Sequence, residues 1–277
     1  MLEVPSWLGP LLLGVFGLLI GSFGNVVIYR LPRGESLNYP ASHCPACGHP
    51  IRWYHNVPVL GWLWLRGKCA DCGDPISTRY PLVEAAMGLL WWLAGSYYHM
   101  GPKTVPAIVL FTLLLLLSMI DIDVMRLPNV LVAGLFGSGL VLAAAAKLIG
   151  WAAMPLVPAS AGGWPADPLY GALAGVLLGA GLSLGLAALY SAVRKADGFG
   201  MGDVKLLGAI GVFVGPYAVM VLFLASILGV LWMLPAGRLK GWREKMPFGP
   251  FIAAATVVVV FGGEPLWQWY MRLAGLA

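Results

Sequence analysis

Read from its N-terminus, the chain is a succession of apolar runs, each closed by charge or by proline and glycine. A hydrocarbon core about 30 Å thick takes roughly 20 apolar residues in helical form. Eight runs stand out, near residues 7–29, 81–98, 105–122, 129–149, 169–193, 204–215, 217–235 and 248–270. They predict an all-α polytopic membrane protein of about eight transmembrane helices. The first run is read as a retained span: Glu3 precedes it, no Lys or Arg does, and no small-residue cleavage pattern follows. The sixth is short for a crossing, and Gly215-Pro216 parts it from the seventh. It reads as a partial or shallow helix; it is either a true crossing or one arm of a re-entrant pair.

Composition agrees with that pattern and narrows the class. Of 277 residues, 60% are hydrophobic and 10% charged, and the mean hydropathy is +0.83. A water-soluble enzyme and a disordered chain are both excluded. The net charge of +5 is modest and gives no reason to expect nucleic acid as a partner. Its distribution says more. Arg30, Arg33, Arg52, Arg66, Lys68 and Arg79 share the loop after the first run, Arg126 the third, Arg194, Lys195 and Lys205 the fifth, and Arg238, Lys240, Arg243 and Lys245 the seventh. With eight crossings, 14 of the 17 basic residues fall on one side. The positive-inside rule makes that side cytoplasmic and puts both termini outside. The stretch from Trp151 to Pro168 is then an external loop.

The sizeable polar segment, residues 30–80, lies between the first and second spans and holds all four cysteines. They form two CxxC pairs, Cys44/Cys47 and Cys69/Cys72, with 21 residues between them. Gly48 and Gly73 directly follow the second cysteine of each pair, where a tight turn favours positive φ. Four thiolates close a tetrahedron around Zn2+ and leave no open position, so the metal would be structural. In a reducing compartment zinc is favoured over the alternatives of two disulfides or vacant thiols. His43 and His49 flank the first pair, as substitute ligands or bystanders. Two regions result: residues 1–98, with two spans and this loop, and residues 99–277, with six.

Ionisable groups in or beside membrane helices are expensive and count as functional hypotheses. Asp121 and Asp123 end the third run, Glu84 opens the second and Asp203 the sixth. Asp123 has a partner in prospect, Arg126, three residues on. Asp121 points to another face and has no cation nearby in sequence. Asp203 reads alone as an N-cap. Gly200 and Gly202 shift the balance: a glycine-flanked, strand-like turn leaves backbone open for an extended peptide to align beside the carboxylate. Two partly desolvated carboxylates can share one proton and activate a single water as base and acid. Lys205 is then a surface anchor or a charge holding Asp203 ionised. Other chemistries lack their residues. There is no HExxH and no GxxxxGK[ST], the histidines at 43, 49, 55 and 99 offer no base in the later helices, and the glycines at 198–202 lack a dinucleotide context.

Gly21-Ser-Phe-Gly-Asn-Val-Val-Ile-Tyr-Arg-Leu-Pro32, the paired CxxC loop, Arg79-Tyr-Pro-Leu-Val-Glu84, Asp121-Ile-Asp-Val-Met-Arg-Leu-Pro-Asn129 and Gly200-Met-Gly-Asp-Val-Lys205 follow one another in this order. Together they resemble the bacterial prepilin peptidases, GxGD-type intramembrane aspartic proteases of type IV pilus and type II secretion systems. The resemblance implies Asp121 and Asp203 as the catalytic pair, with Gly200, Gly202 and Lys205 positioning substrate. It implies leader cleavage of type IV prepilins or pseudopilins at the cytoplasmic face of the inner membrane. N-methylation of the new terminus from S-adenosylmethionine would follow, assigned to the region 1–98. Asn25 and Glu84 are the cofactor contacts to consider, or a helix-to-helix hydrogen bond explains them. A peptidase without methyl transfer, and a non-enzymatic membrane assembly or transport subunit, are the competing functions.

Overall fold

The computed structural model describes residues 5–151, 153–157, 167–194, 200–234 and 246–275. Among these residues there is no β-strand, only helix, turns and two isolated bridges. The chain divides into two compact units, Met1–Gly101 and Pro102–Ala277. The first holds α1 (Leu8–Arg30), the five-residue α2 (Leu60–Trp64) and α3 (Arg79–Tyr97). The second holds α4 (Thr104–Val124), α5 (Asn129–Leu148), α6 (Pro168–Val176), α7 (Leu182–Arg194), α8 (Met201–Val214), α9 (Ala218–Met233) and α10 (Gly249–Leu273).

Each of the eight apolar runs is helical. Among the described residues six stretches are long and apolar enough to cross a bilayer, which makes this a multi-pass membrane protein: Leu8–Arg33, Thr104–Val124, Asn129–Leu148, Pro168–Val193, Met201–Met233 and Gly249–Leu273. The count differs from eight for two physical reasons. Arg79, Tyr80, Glu84 and Ser96 dilute the apolar character of α3, and α8 and α9 form one continuous apolar stretch. That stretch is nonetheless two helices. A 3-10 turn, Gly215–Tyr217, joins them. Tyr217 packs beside Gly263 near the far end of α10, whereas Gly229 faces Phe248 and Phe251 where α10 begins. The chain therefore reverses at Gly215, whose φ of +61° suits a glycine. The external-loop expectation for Trp151–Pro168 and the basic residues Lys195, Arg238, Lys240, Arg243 and Lys245 fall largely or wholly outside the described residues.

In the first unit, α1 and α3 run antiparallel along a seam of small residues. A Cβ on Gly17 would meet the Cα of Gly88 at 2.9 Å, and one on Gly21 the Cα of Glu84 at 2.8 Å. Meanwhile Leu11, Leu12, Phe16, Leu19 and Phe23 stay exposed. Small residues inward and large ones outward invert the pattern of a soluble helix. Lipid is as apolar as leucine, so close backbone approach, not hydrophobic burial, drives association in a bilayer.

The second unit is organised around α8, which is buried on every side from Leu206 to Val214. A helix apolar all round belongs in the middle of its unit. Helix α6 and the π-turn Leu177–Gly181 run antiparallel to it, with Gly175 against the Gly211 carbonyl and Gly179 against the Leu207 carbonyl. Gly139 of α5 receives the Phe213 ring. The end of α4 meets the start of α10 through Asp121 and Gly249, and the connection after α4 meets the start of α8 through Leu127 and Gly202.

Candidate functional site

Asp121 lies in the last turn of α4 and is only 6% exposed. Its Oδ2 accepts a hydrogen bond from the Gly249 N–H at 2.9 Å. Gly249 opens α10, so an otherwise unsatisfied amide at a helix N-terminus is turned onto a carboxylate. A Cβ on Gly249 would stand 2.9 Å from that same oxygen. Glycine is the residue that fits. Sequence reasoning missed Gly249; the available signal was Phe248-Gly249-Pro250 at the head of an apolar run.

Asp203 lies in the first turn of α8 and is half-buried. The N-cap is Gly200, in an extended conformation and with no side-chain cap, so the capping role expected of Asp203 is not what the carboxylate performs. The strand-like turn expected around it is also confined to Gly200. From Met201 onward the backbone is helical, because the apolar periodicity of Val204, Leu206 and Leu207 already runs through the motif. The Asp203 carboxylate folds back over Gly200, where a Cβ would stand 2.9 Å from Oδ2. Gly202 touches Leu127, with ordinary space for a Cβ at 3.4 Å. The two glycines therefore differ: the space at Gly200 is held by the carboxylate, and that at Gly202 lies against a flexible leucine.

Asp121 and Asp203 come from positions 82 residues apart, at helix ends that the fold brings together. The short connection after α4 makes the link: Leu127 lies against Gly202, and Asn129 Oδ1 accepts a hydrogen bond from Lys205 Nζ at 3.1 Å. Of the two roles weighed for Lys205, an exposed contact to Asn129 is the one present. Helix α4 ends at Val124, with Met125 left-handed, so Asp123 and Arg126 do not share a helical turn.

The four cysteines are free of disulfides, and their sulfur atoms all lie within 4.8 Å of one another. Cys44 Sγ and Cys72 Sγ are 3.9 Å apart. Sulfurs at 2.3 Å from a central zinc would be spaced about 3.8 Å apart. The residues therefore fit a tetrahedral metal. Each pair sits on the same knuckle. The Gly48 N–H returns to the Cys44 carbonyl at 2.9 Å and the Gly73 N–H to the Cys69 carbonyl at 3.0 Å, with Gly48 and Gly73 at φ of +73° and +74°. Backbone N–H groups of Cys72 and Asp71 lower the Cys69 thiol to about 7, favouring the thiolate a metal requires. His43 and His49 are outside the sulfur group; the His43 ring contacts the Ala41 carbonyl at 3.0 Å.

Asn25 and Glu84 are both buried between α1 and the elements packed on it. Asn25 Nδ2 donates to the Tyr80 carbonyl of α3 at 3.1 Å, a helix-to-helix hydrogen bond. Glu84 Oε2 accepts from the Val59 N–H at 2.7 Å. Each has a partner within the first unit.

Apolar helices long enough to cross a bilayer, with acidic side chains at the end of α4 and the start of α8 in one unit and a four-cysteine cluster in the other, define a polytopic membrane protein. Residues 15–98 match the Bacterial Peptidase A24 N-terminal domain and residues 108–234 the Type IV leader peptidase family. The prepilin leader peptidase/N-methyltransferase of Aeromonas salmonicida strain A449 is 34% identical, covering 96% of this chain and 94% of that protein. The protein of the same name from Myxococcus xanthus strain DK1622 is 36% identical over 96% of this chain and 78% of its own. One from Klebsiella pneumoniae is 39% identical over 74% of this chain and 87% of its own. No solved structure matches. The chain belongs to the bacterial prepilin peptidase family.

Proposed function

We propose that this protein cleaves the leader peptide of type IV prepilins, and of type II secretion pseudopilins, and then N-methylates the new terminus. What supports the peptidase reading is the setting of the two acids: Asp121 Oδ2 on the Gly249 N–H, Asp203 folded over Gly200, and the end of α4 linked to the start of α8 through Leu127 and Gly202. Between them the pair holds one proton. The ionised carboxylate takes a proton from a water poised between the two, and that water attacks the scissile carbonyl. The protonated partner donates to the carbonyl oxygen to give a geminal diol; as the diol collapses, the first carboxyl passes the proton it took from water to the leaving amine, and the second takes its own back from a diol hydroxyl. The Gly249 N–H orients Asp121 by holding Oδ2, and the lack of a side chain at Gly200 leaves room for the Asp203 carboxylate to fold back over the extended backbone. The pair lies where helices begin and end, the depth at which a pilin's apolar stem would stay in lipid while its polar leader reaches the water. The basic loops favour the cytoplasmic face of the bacterial inner membrane.

The methyl donor proposed is S-adenosylmethionine, which supplies an electrophilic methyl group when bound. The four cysteines hold Zn2+ in a closed site that folds the loop and takes no part in chemistry. In vitro processing of a synthetic prepilin with and without S-adenosylmethionine tests both reactions together. Cleavage in both cases, with the new terminus heavier by one methyl only when the donor is present, is the expected result. No cleavage would remove the peptidase reading; cleavage with an unmethylated terminus would leave a peptidase alone.

A further inference from the structure

The loop of the first unit does not simply project into water. Val59 has φ +63° and ψ −51°, and the Leu60 N–H reaches back to the Pro58 carbonyl at 2.6 Å. This is a γ-turn of the rare positive-φ kind, strained for a β-branched residue. A strained turn persists where its surroundings over-determine it. Here the buried Glu84 carboxylate grips the Val59 N–H, Trp62 Nε1 donates to the Ile76 carbonyl at 3.0 Å, and Gly61 is wedged against the His55 carbonyl.

The depth of this clasp is set by the helices. Glu84 lies five residues inside the start of α3, and its neighbour Ser22 eight residues short of the end of α1. At 1.5 Å per residue the turn at Val59 is drawn about 8–12 Å back along the helix pair. By contrast, Arg30 at the end of α1 donates to the Ser36 and Pro40 carbonyls, so residues 36–40 stay at the helix end. Yet the segment pulled inward presents Trp53 at 82%, Leu60 at 63%, Leu63 at 56% and Trp64 at 74% exposure. Exposed Arg66 and Lys68 follow directly. Large apolar side chains, tryptophan among them, with basic residues alongside are the signature of an element lying 5–10 Å into the headgroup and acyl boundary.

We propose that residues 53–66 form an interfacial wedge, clasped by Glu84 and seated in the phospholipid headgroup boundary, with Trp53, Leu60, Leu63 and Trp64 in lipid. Arg66 and Lys68 meet lipid phosphates. The full-length protein, in nanodiscs of phosphatidylethanolamine and phosphatidylglycerol, is made with Trp64→p-benzoylphenylalanine and separately with Asn38→p-benzoylphenylalanine, then irradiated and weighed intact. A lipid-mass adduct at position 64 and none at position 38 is the expected result. Equal adducts at both positions, no lipid adduct at 64, or cross-linking of 64 to a second copy of the chain would each overturn the wedge. Should Trp64→p-benzoylphenylalanine fail to insert, Trp53→p-benzoylphenylalanine serves in its place with the same readings.

Discussion

The two units solve the problem of building a site in a membrane protein in opposite ways. In the first, four cysteines within 29 residues of sequence meet in one loop, and the knuckles that present them are local turns closed by their own hydrogen bonds. In the second, the carboxylates come from different helices, whose ends are linked by long-range contacts such as Leu127 against Gly202 and Lys205 with Asn129, and neither acid has a local structure that makes it a pair. A ligand centre made of turns is written close together; a centre made of helix ends depends on the packing of everything between them.

That contrast can be broken most directly at the carboxylates. Asp121→Asn or Asp203→Asn is expected to lower leader cleavage by at least about a thousandfold, within the range for removing a positioned acid or base. Methylation of an already trimmed substrate should persist. Loss of both reactions in either variant, measured by mass analysis of the product terminus, would show that the two units do not work separately.

Next comes the metal. Cys44→Ser with Cys72→Ser should release zinc, measured by elemental analysis, and leave residues 40–76 open to protease. Cleavage should fall less than methyl transfer. Because ligand thiols must be deprotonated, metal retention should also weaken as pH falls.

Helix contacts give an intermediate effect. Gly175→Leu places a side chain where the Gly211 carbonyl now sits, and about 1–3 kcal/mol or more of destabilisation is expected, read from thermal unfolding in detergent. Gly202→Ala meets only the Leu127 side chain and should be nearly silent in the same measurement. If the two behave alike, the glycine seam is not what positions Asp203.

The smallest effect is expected at Asp167, which caps α6 through the Leu169 and Tyr170 N–H groups and pairs with Lys147 at 2.7 Å. Lys147 holds the Asp167 carboxyl below its ordinary range. The pair therefore helps at neutral pH, and that help is lost as pH falls through the depressed value. Asp167→Asn should keep most of the cap, remove the pairing and flatten this part of the acid dependence of unfolding.

The helices were legible because their cause is local. A run of apolar residues with no water to hydrogen-bond its backbone must satisfy itself as helix, and every run read from the pattern is one. The cysteine centre was legible for a similar reason: CxxC followed by glycine encodes a turn, and two such turns suffice to gather four sulfurs. Asp121 and Asp203 could be singled out as acids with no local use, and the order of motifs marked them further.

What only the tertiary structure decided is how those acids are held. Gly249 faces Asp121 across 128 positions, and nothing near Gly249 in sequence announces that its amide points at a carboxylate. The helical start of α8, not a strand-like turn, fixes the direction in which Asp203 leaves the backbone. Glu84 read as a candidate cofactor contact or a helix-to-helix hydrogen bond, and only the fold sets its carboxylate on the Val59 N–H. Local chemistry chooses helix or turn over a few residues. Long-range contacts in lipid depend on where small residues let backbones touch, and that is a property of pairs of helices, absent from either one alone.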